Sequence, residues 1–248
     1  MTNPFILQRP NIFLTAFFRS GSSHVKTTLN GILPTYHQAT TVFSAGAIGN
    51  DNNCAIDIFA SQILLPMPET IFHQHTHGTS GNVAILNRFG IRPVVQMRNM
   101  LDSIVSVVEL LSLGETQNLG IYYPQDFTDM SHDDQLWWAV KNLPSWYLTF
   151  YLSWKYADIP KLIIWYDTYY KNQIAGIRSI LEHCGFLGSV DDGVIDLAAN
   201  TIQIDSRFKF GLPGRGRQIL TAKMVRDIEM QAMSWMEGKE LIKELMER

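Results

Sequence analysis

The chain has 248 residues, 46% hydrophobic and 17% charged, with a formal net charge of −3. That apolar content with so few charges excludes a disordered chain, and the slight acidic surplus excludes a general nucleic-acid surface, which needs a basic excess. Any anionic ligand must therefore be held by locally clustered cations. The length fits one large domain over 1–248. Its two cysteines, Cys54 and Cys184, make no disulfide framework and read as small buried hydrophobes of a reducing compartment. No run approaches the ~18 apolar residues of a membrane span, and Ile12–Phe18 is too short for the apolar stretch of a signal peptide. A cytoplasmic protein is expected.

In chain order, Ile12–Phe18 is apolar at nearly every position and reads as a strand buried on both faces. A Ser/Gly cluster follows, then a helix over Val25–Leu33. Thr70–His75 reads as a second strand and Arg92–Met97 as a third. Ser103–Leu113 has helical periodicity, with Gly114 as its stop. Gln135–Tyr156 is rich in Trp, Tyr and Phe; it reads as helices packing an aromatic core, as a wall of an apolar acceptor pocket, or as both. Lys161–Tyr166 is a fourth strand, entered after Pro160. Over Lys171–Cys184, Ile174, Ile177, Ile180 and Leu181 recur at helical spacing before Gly185, and Thr221 caps a last helix running toward Arg248.

Strands alternating with helices predict an α/β fold, a single three-layer domain whose central, mainly parallel sheet is flanked by helices. Ligands of such sheets bind beyond the carboxyl ends of the strands. The chemistry-bearing segments should therefore be those that follow strands.

The first of these is Phe18-Arg19-Ser20-Gly21-Ser22-Ser23-His24. A loop between a strand and a helix offers free N–H groups to an anion; hydroxyls add donors, Gly21 allows close approach, and Arg19 carries a charge that does not titrate. It is not a Walker A loop. That motif needs Gly before the Lys, whereas Val25 precedes Lys26, and Ser20 stands at its first Gly position.

The loop resembles the 5′-phosphosulfate-binding loop of sulfotransferases that use 3′-phosphoadenosine 5′-phosphosulfate (PAPS), usually Pro-Lys-Ser-Gly-Thr-Thr-Trp. Two further segments are similar to that family in the expected order. Arg98-Asn99-Met100-Leu101-Asp102, continuing to Ser106, resembles the 3′-phosphate motif Arg-Asn-Pro-x-Asp-x-x-x-Ser, with Met100 for Pro. Arg207–Arg217 resembles Arg-Lys-Gly-x-x-Gly-x-Trp-Lys: Gly211 and Gly214 keep the glycine spacing and Arg217 falls at the Lys, while Phe210 and Gly216 depart from it. The phosphate cation of that loop is then Lys209, Arg207 or Arg215. Tyr166-Asp167 looks like a shortened Tyr-Glu-Asp element, and His24 stands near the family's adenine-stacking Trp.

Ile71-Phe72-His73-Gln74-His75-Thr76-His77 spaces three histidines two apart. If the strand continues, all three project from one face; a zinc site or plain structural histidines are then open readings. The resemblance implies a sharper one. His75-Thr76-His77 aligns with the family's Lys-Thr-His, which makes His77 the general base and His75 the runner-up.

The resemblance thus implies a sulfotransferase moving the sulfuryl group from PAPS to a hydroxyl or amine of a small-molecule acceptor, apolar or aromatic, releasing 3′,5′-adenosine bisphosphate without a metal. Arg19, His77 and His75 are its catalytic residues. Arg19, Ser20, Gly21, Ser22, Ser23, His24, Arg98, Ser106, Tyr166, Lys209, Gly211, Arg215 and Arg217 hold the nucleotide. No nucleic-acid or membrane partner is expected, and a homodimer is possible. The alternatives are an ATP-dependent phosphotransferase using Lys26 and a nucleotide-binding homologue without activity.

Overall fold

A computed structural model describes residues 10–39, 69–114, 123–186, 190–201 and 211–248. Its centre is a five-stranded, all-parallel sheet in the order β2-β3-β1-β4-β5. The strands are β1 (Ile12–Ala16), β2 (His37–Ala39), β3 (Thr70–Gln74), β4 (Val94–Met97) and β5 (Leu162–Trp165). β1 is flanked by β3, in the register Leu14↔His73, and by β4, in the register Leu14↔Val94.

Alternation along each strand sends side chains into two separate apolar layers. Ile12, Leu14, Ile71, Val94 and Ile164 face one of them. There they meet Val25 and Leu29 of α1 (Ser22–Ile32), Ile177, Ile180 and Leu181 of α7 (Gln173–His183), and Ile195 of α8 (Asp192–Thr201). Phe13, Phe17, Phe72, Val95 and Met97 face the other layer. It is built by α2 (Ser80–Arg88), α3 (Met100–Ser112), α4 (His132–Asn142), α5 (Pro144–Lys155), α10 (Ala222–Met233) and α11 (Gly238–Leu245). The aromatic segment is thus the helix pair α4–α5, with Tyr147, Phe150 and Trp154 completely buried. Two short helices, α6 (Tyr166–Lys171) and α9 (Gly216–Ile219), and a single 3₁₀ turn at Phe127–Asp129 complete the described set. No helix among the described residues is long and apolar enough to cross a membrane.

The expected architecture holds, with local corrections. The third strand begins at Val94 rather than Arg92, and Tyr166 opens α6 instead of ending a strand. The first helix begins at Ser22, because Gly21 in the left-handed region (φ 79°) starts it three residues early. The helix read over 103–113 begins at Met100, since the Asn99 side chain accepts from the N–H groups of Leu101 and Asp102. Asn99 is the cap. The last helix is two helices, broken where Glu237 takes φ 65° and Gly238 packs against the Ala232 carbonyl. β3 ends at Gln74, so His73 alone of the three histidines lies on a strand. β2 and α2 had no signal strong enough to be read.

Leu29 is completely buried between α1 and the sheet. Leu29→Ala is expected to cost about 2–5 kcal/mol through lost burial and a residual cavity, read as a lower urea midpoint with unchanged m-value.

Candidate functional site

Because all five strands are parallel, their carboxyl ends share one edge. The segments after β1, β3, β4 and β5 (Phe17–His24, His75–Gly78, Arg98–Ser106 and Tyr166) converge there.

The loop after β1 is held from below by its neighbours. The Phe17 N–H donates to the Gln96 carbonyl (2.9 Å), Ser20 Oγ donates to the Phe17 carbonyl (2.9 Å), and Gln96 Nε2 donates to the Ser20 carbonyl (2.7 Å). Arg19 takes a left-handed backbone (φ 60°), uncommon outside glycine. Gly21 follows at φ 79°, where a Cβ would lie 2.5 Å from the Tyr166 ring. With the loop pinned in this shape, the N–H groups of Gly21, Ser22 and Ser23 have no acceptor among the described residues. Donors aimed outward at a helix N-terminus suit an anion.

Arg98, at the end of β4, is 5% exposed. Its Nη1 donates to the Arg19 carbonyl (3.0 Å), its guanidinium lies 4.5 Å over the Tyr166 ring, and Nη2 is 3.8 Å from Asp102. Its Nε is buried with no hydrogen-bond partner among the described residues. Arg19 Nε donates to Ser106 Oγ (3.1 Å), joining the loop after β1 to the second turn of α3. The two separate arginine motifs therefore form one cradle. The bare N–H groups of Gly21–Ser23, with the Arg98 guanidinium bonded beneath the same loop, fit an anionic group.

Asp102 ties a distant segment to α3. Its two oxygens accept the N–H groups of Gly214 (2.8 Å) and Gly216 (2.7 Å), fastening the 211–217 segment onto α3. Gly216 is required there, because a Cβ would lie 2.6 Å from the Asp102 nitrogen. The Tyr166 hydroxyl donates to the Gly211 carbonyl (2.6 Å), and burial pushes that phenol up to about 12. Arg215 pairs with Glu109, and Arg217 Nη2 donates to the Met246 carbonyl (3.3 Å). Both arginines are thus engaged by protein acceptors. Arg207 and Lys209 lie outside the described residues.

On the other side, Phe18 stacks on Trp146 (3.9 Å between centroids) and Trp146 stacks on Phe150 (5.3 Å). His75 packs on Phe18 (4.6 Å), and His77 packs against Trp146 (5.5 Å) and Phe150 (5.7 Å). Burial pushes both imidazoles down to about 4, so both are neutral at pH 7. The Ala16 carbonyl can only accept, so His75 Nδ1 donates to it (2.7 Å) and its Nε2 is left bare. His73, buried on β3, contacts Ser22 Oγ through Nε2 (2.8 Å). His24 is held by the Tyr169 hydroxyl (2.8 Å). Among the described residues no group of histidine, cysteine or carboxylate side chains could hold a metal ion. Thr15 and Gln96 were missed by the sequence reading, although a lone polar residue inside an apolar strand is a signal. Thr15 Oγ1 donates to the Thr76 carbonyl (2.8 Å), and Gln96 steadies Ser20.

No family model matches the chain, and no curated protein matches it. Among solved structures, mouse sulfotransferase SULT7A1 complexed with PAP superposes with a TM-score of 0.64 at 16% identity, covering 97% of this chain and 90% of that one. This chain has the sulfotransferase fold. Retinol dehydratase in a complex with retinol and PAP gives 0.56 at 16% identity, covering 91% of this chain and 81% of the other. A sulfotransferase from Alicyclobacillus acidocaldarius gives 0.51 at 13% identity, over 98% and 97%. At such identities the likeness is one of fold. The sulfotransferase fold accounts for why the residues after four strands meet at a single edge.

The buried histidines make a pH prediction. Their folded pKa values lie below the ordinary value of 6.5, so the unfolded chain takes up protons first as pH falls. Stability is complete above about pH 6.5 and declines toward pH 4; Asp167, whose carboxyl burial pushes up, opposes this with one proton. The urea midpoint should therefore drop between pH 7 and 5. A flat profile there would contradict the burial of His73 and His75.

Proposed function

We propose that the protein is a PAPS-dependent sulfotransferase acting on a hydroxyl or amine of a small apolar or aromatic acceptor. The observation that carries this reading is the joined cradle, in which Arg98 donates to the Arg19 carbonyl and Arg19 donates to Ser106. Its outward N–H groups, with the Arg98 guanidinium bonded beneath the same loop, fit a nucleotide with phosphate at two ends. When bound, PAPS supplies the sulfuryl group and departs as 3′,5′-adenosine bisphosphate. Arg19 and the Gly21–Ser23 N–H groups face charge that grows on the transferring and leaving oxygens, a preorganised electrostatic role. Arg98 and Ser106 hold the 3′-phosphate and so discriminate against a nucleotide lacking it. The paired states of Arg215 and Arg217 favour Lys209 or Arg207 as the further cation. His24, steadied by Tyr169, and Tyr166 border the nucleotide.

The stacked Phe18–Trp146–Phe150 wall supports an acceptor with an apolar face. His77, packed on that wall, removes the acceptor proton as its oxygen or nitrogen attacks sulfur. A second reading has its own observation: the bare Nε2 of His75, enforced by the Ala16 carbonyl, is equally suited to take a proton. The phosphotransferase alternative lacks support, since Val25 breaks the Walker register before Lys26 and the structural relatives are sulfotransferases.

Thermal-shift measurements should show stabilisation by 3′,5′-adenosine bisphosphate and none by ATP with Mg²⁺; the reverse pattern would overturn the reading. Arg19→Ala should lower turnover at least ~10²-fold. Arg98→Ala should weaken 3′,5′-adenosine bisphosphate far more than adenosine 5′-phosphate in calorimetry. His77→Ala and His75→Ala identify the base: its loss should cost about 10²–10⁴-fold in kcat. The acid limb of kcat/KM should lie near pH 4 rather than 6.5.

A further inference from the structure

His73 is left unused by the reaction described above. It sits near the carboxyl end of β3, beside the central strand β1, and is 6% exposed. Its Nε2 lies 2.8 Å from Ser22 Oγ, and Ser22 is the first residue of α1, within the loop that carries the bare N–H groups. This contact joins β3 to the loop across 51 residues of sequence. A buried imidazole is an expensive way to fill an apolar strand position.

We infer that His73 is a positioning residue that turns the Ser22 hydroxyl into an anion donor. The inference rests on the nucleotide-binding reading above. The physical argument concerns which way the hydrogen bond runs. Burial and the nearby charge of Lys26 keep the ring neutral, so one ring nitrogen carries a hydrogen and the other a lone pair. If Ser22 donates to Nε2, its oxygen lone pairs face the ligand, which repels an anion. If Nε2–H donates to Ser22 instead, the oxygen is satisfied and the hydroxyl hydrogen is free to point outward. Every other feature of the loop gathers donors: the Gly21, Ser22 and Ser23 N–H groups, the helix terminus and Arg19. A bound anion therefore selects the Nε2–H form, and Ser22 becomes one more donor. A neutral ring does this without adding net charge at the site.

The test is calorimetric titration of the native protein, His73→Phe, His73→Gln, Ser22→Ala and the Ser22→Ala/His73→Phe double variant. The probes are adenosine 5′-phosphate, 3′,5′-adenosine bisphosphate and adenosine 3′-phosphate, with circular dichroism confirming the fold of each variant. Losing the donor should weaken the two 5′-phosphorylated probes about tenfold in both single variants, the scale of one charge-assisted hydrogen bond. The double variant should be no weaker than Ser22→Ala alone, since His73 acts only through that hydroxyl. Adenosine 3′-phosphate should bind all variants equally. His73→Gln, whose side-chain N–H reaches the place of Nε2, should restore binding to within about twofold. Additive losses, equal loss for the 3′-phosphate probe, or native affinity in His73→Phe would each overturn the inference. Failure of His73→Phe to fold leaves the decision to His73→Gln: with its donor retained, affinity reduced like that of Ser22→Ala would refute the role. If the native protein binds none of the probes, the nucleotide reading itself fails, and the inference with it.

Discussion

A guanidinium that is 5% exposed at the end of a strand must find acceptors and a flat surface, or the fold does not form around it. Arg98 meets that demand with the Arg19 carbonyl, the Asp102 carboxylate and the face of Tyr166. Each partner belongs to a different segment. The carbonyl holds the loop after β1 in its left-handed turn, the carboxylate sits on α3, and the ring opens α6 after β5. Tyr166 is in turn met by Gly21 at the Cδ2–Cε2 edge of its ring and by the Gly211 carbonyl at its hydroxyl. Asp102 extends the set by binding the Gly214 and Gly216 N–H groups. One buried charge thereby sets the relative positions of the loop after β1, the start of α3, the start of α6 and the glycine-rich segment.

What remains after these internal bonds is a surplus of donors: three loop N–H groups at a helix terminus and, buried beneath them, an Arg98 N–H with no acceptor among the described residues. A chain of net charge −3 can present a positive site in this way, because the potential at a pocket depends on nearby dipoles and charges rather than on the total. Two of the acidic groups near the cradle are already engaged. Asp102 faces its own backbone partners, and Glu109 is paired with Arg215. On the opposite side the wall is aromatic and its two histidines are held neutral, so the edge divides into a donor-rich half and an apolar half. A group transfer from an anionic donor to an apolar acceptor needs that division.

Much of the fold was legible because its signals are local. Apolar runs marked four strands, and the segments following them carried the arginines, glycines and histidines. The loop 18–24 and the run Arg98–Ser106 each held their spacing in the structure, since a strand end followed by a helix start is a local geometry. Other features were illegible for physical reasons. The three-residue β2 is too short for periodicity to show. The continuation of β3 past Gln74 was over-read, because residues alternating along a chain look the same whether or not a neighbouring strand bonds them. Arg215 and Arg217 looked like free cations, and their acceptors, Glu109 and the Met246 carbonyl, come from distant segments that spacing cannot reveal.

The sequence by itself determined the fold class, the edge at which chemistry gathers and most of the residue types found there. Hydrophobic period, turn chemistry and helix starts are properties of neighbours along the chain. Only the tertiary structure decided which cations are engaged and which donors stay open. It alone showed that the Ala16 carbonyl sets the protonation of His75, and that His73 reaches Ser22. Those outcomes depend on burial and on hydrogen bonds between residues tens of positions apart, where direction and distance, not order along the chain, fix the energy.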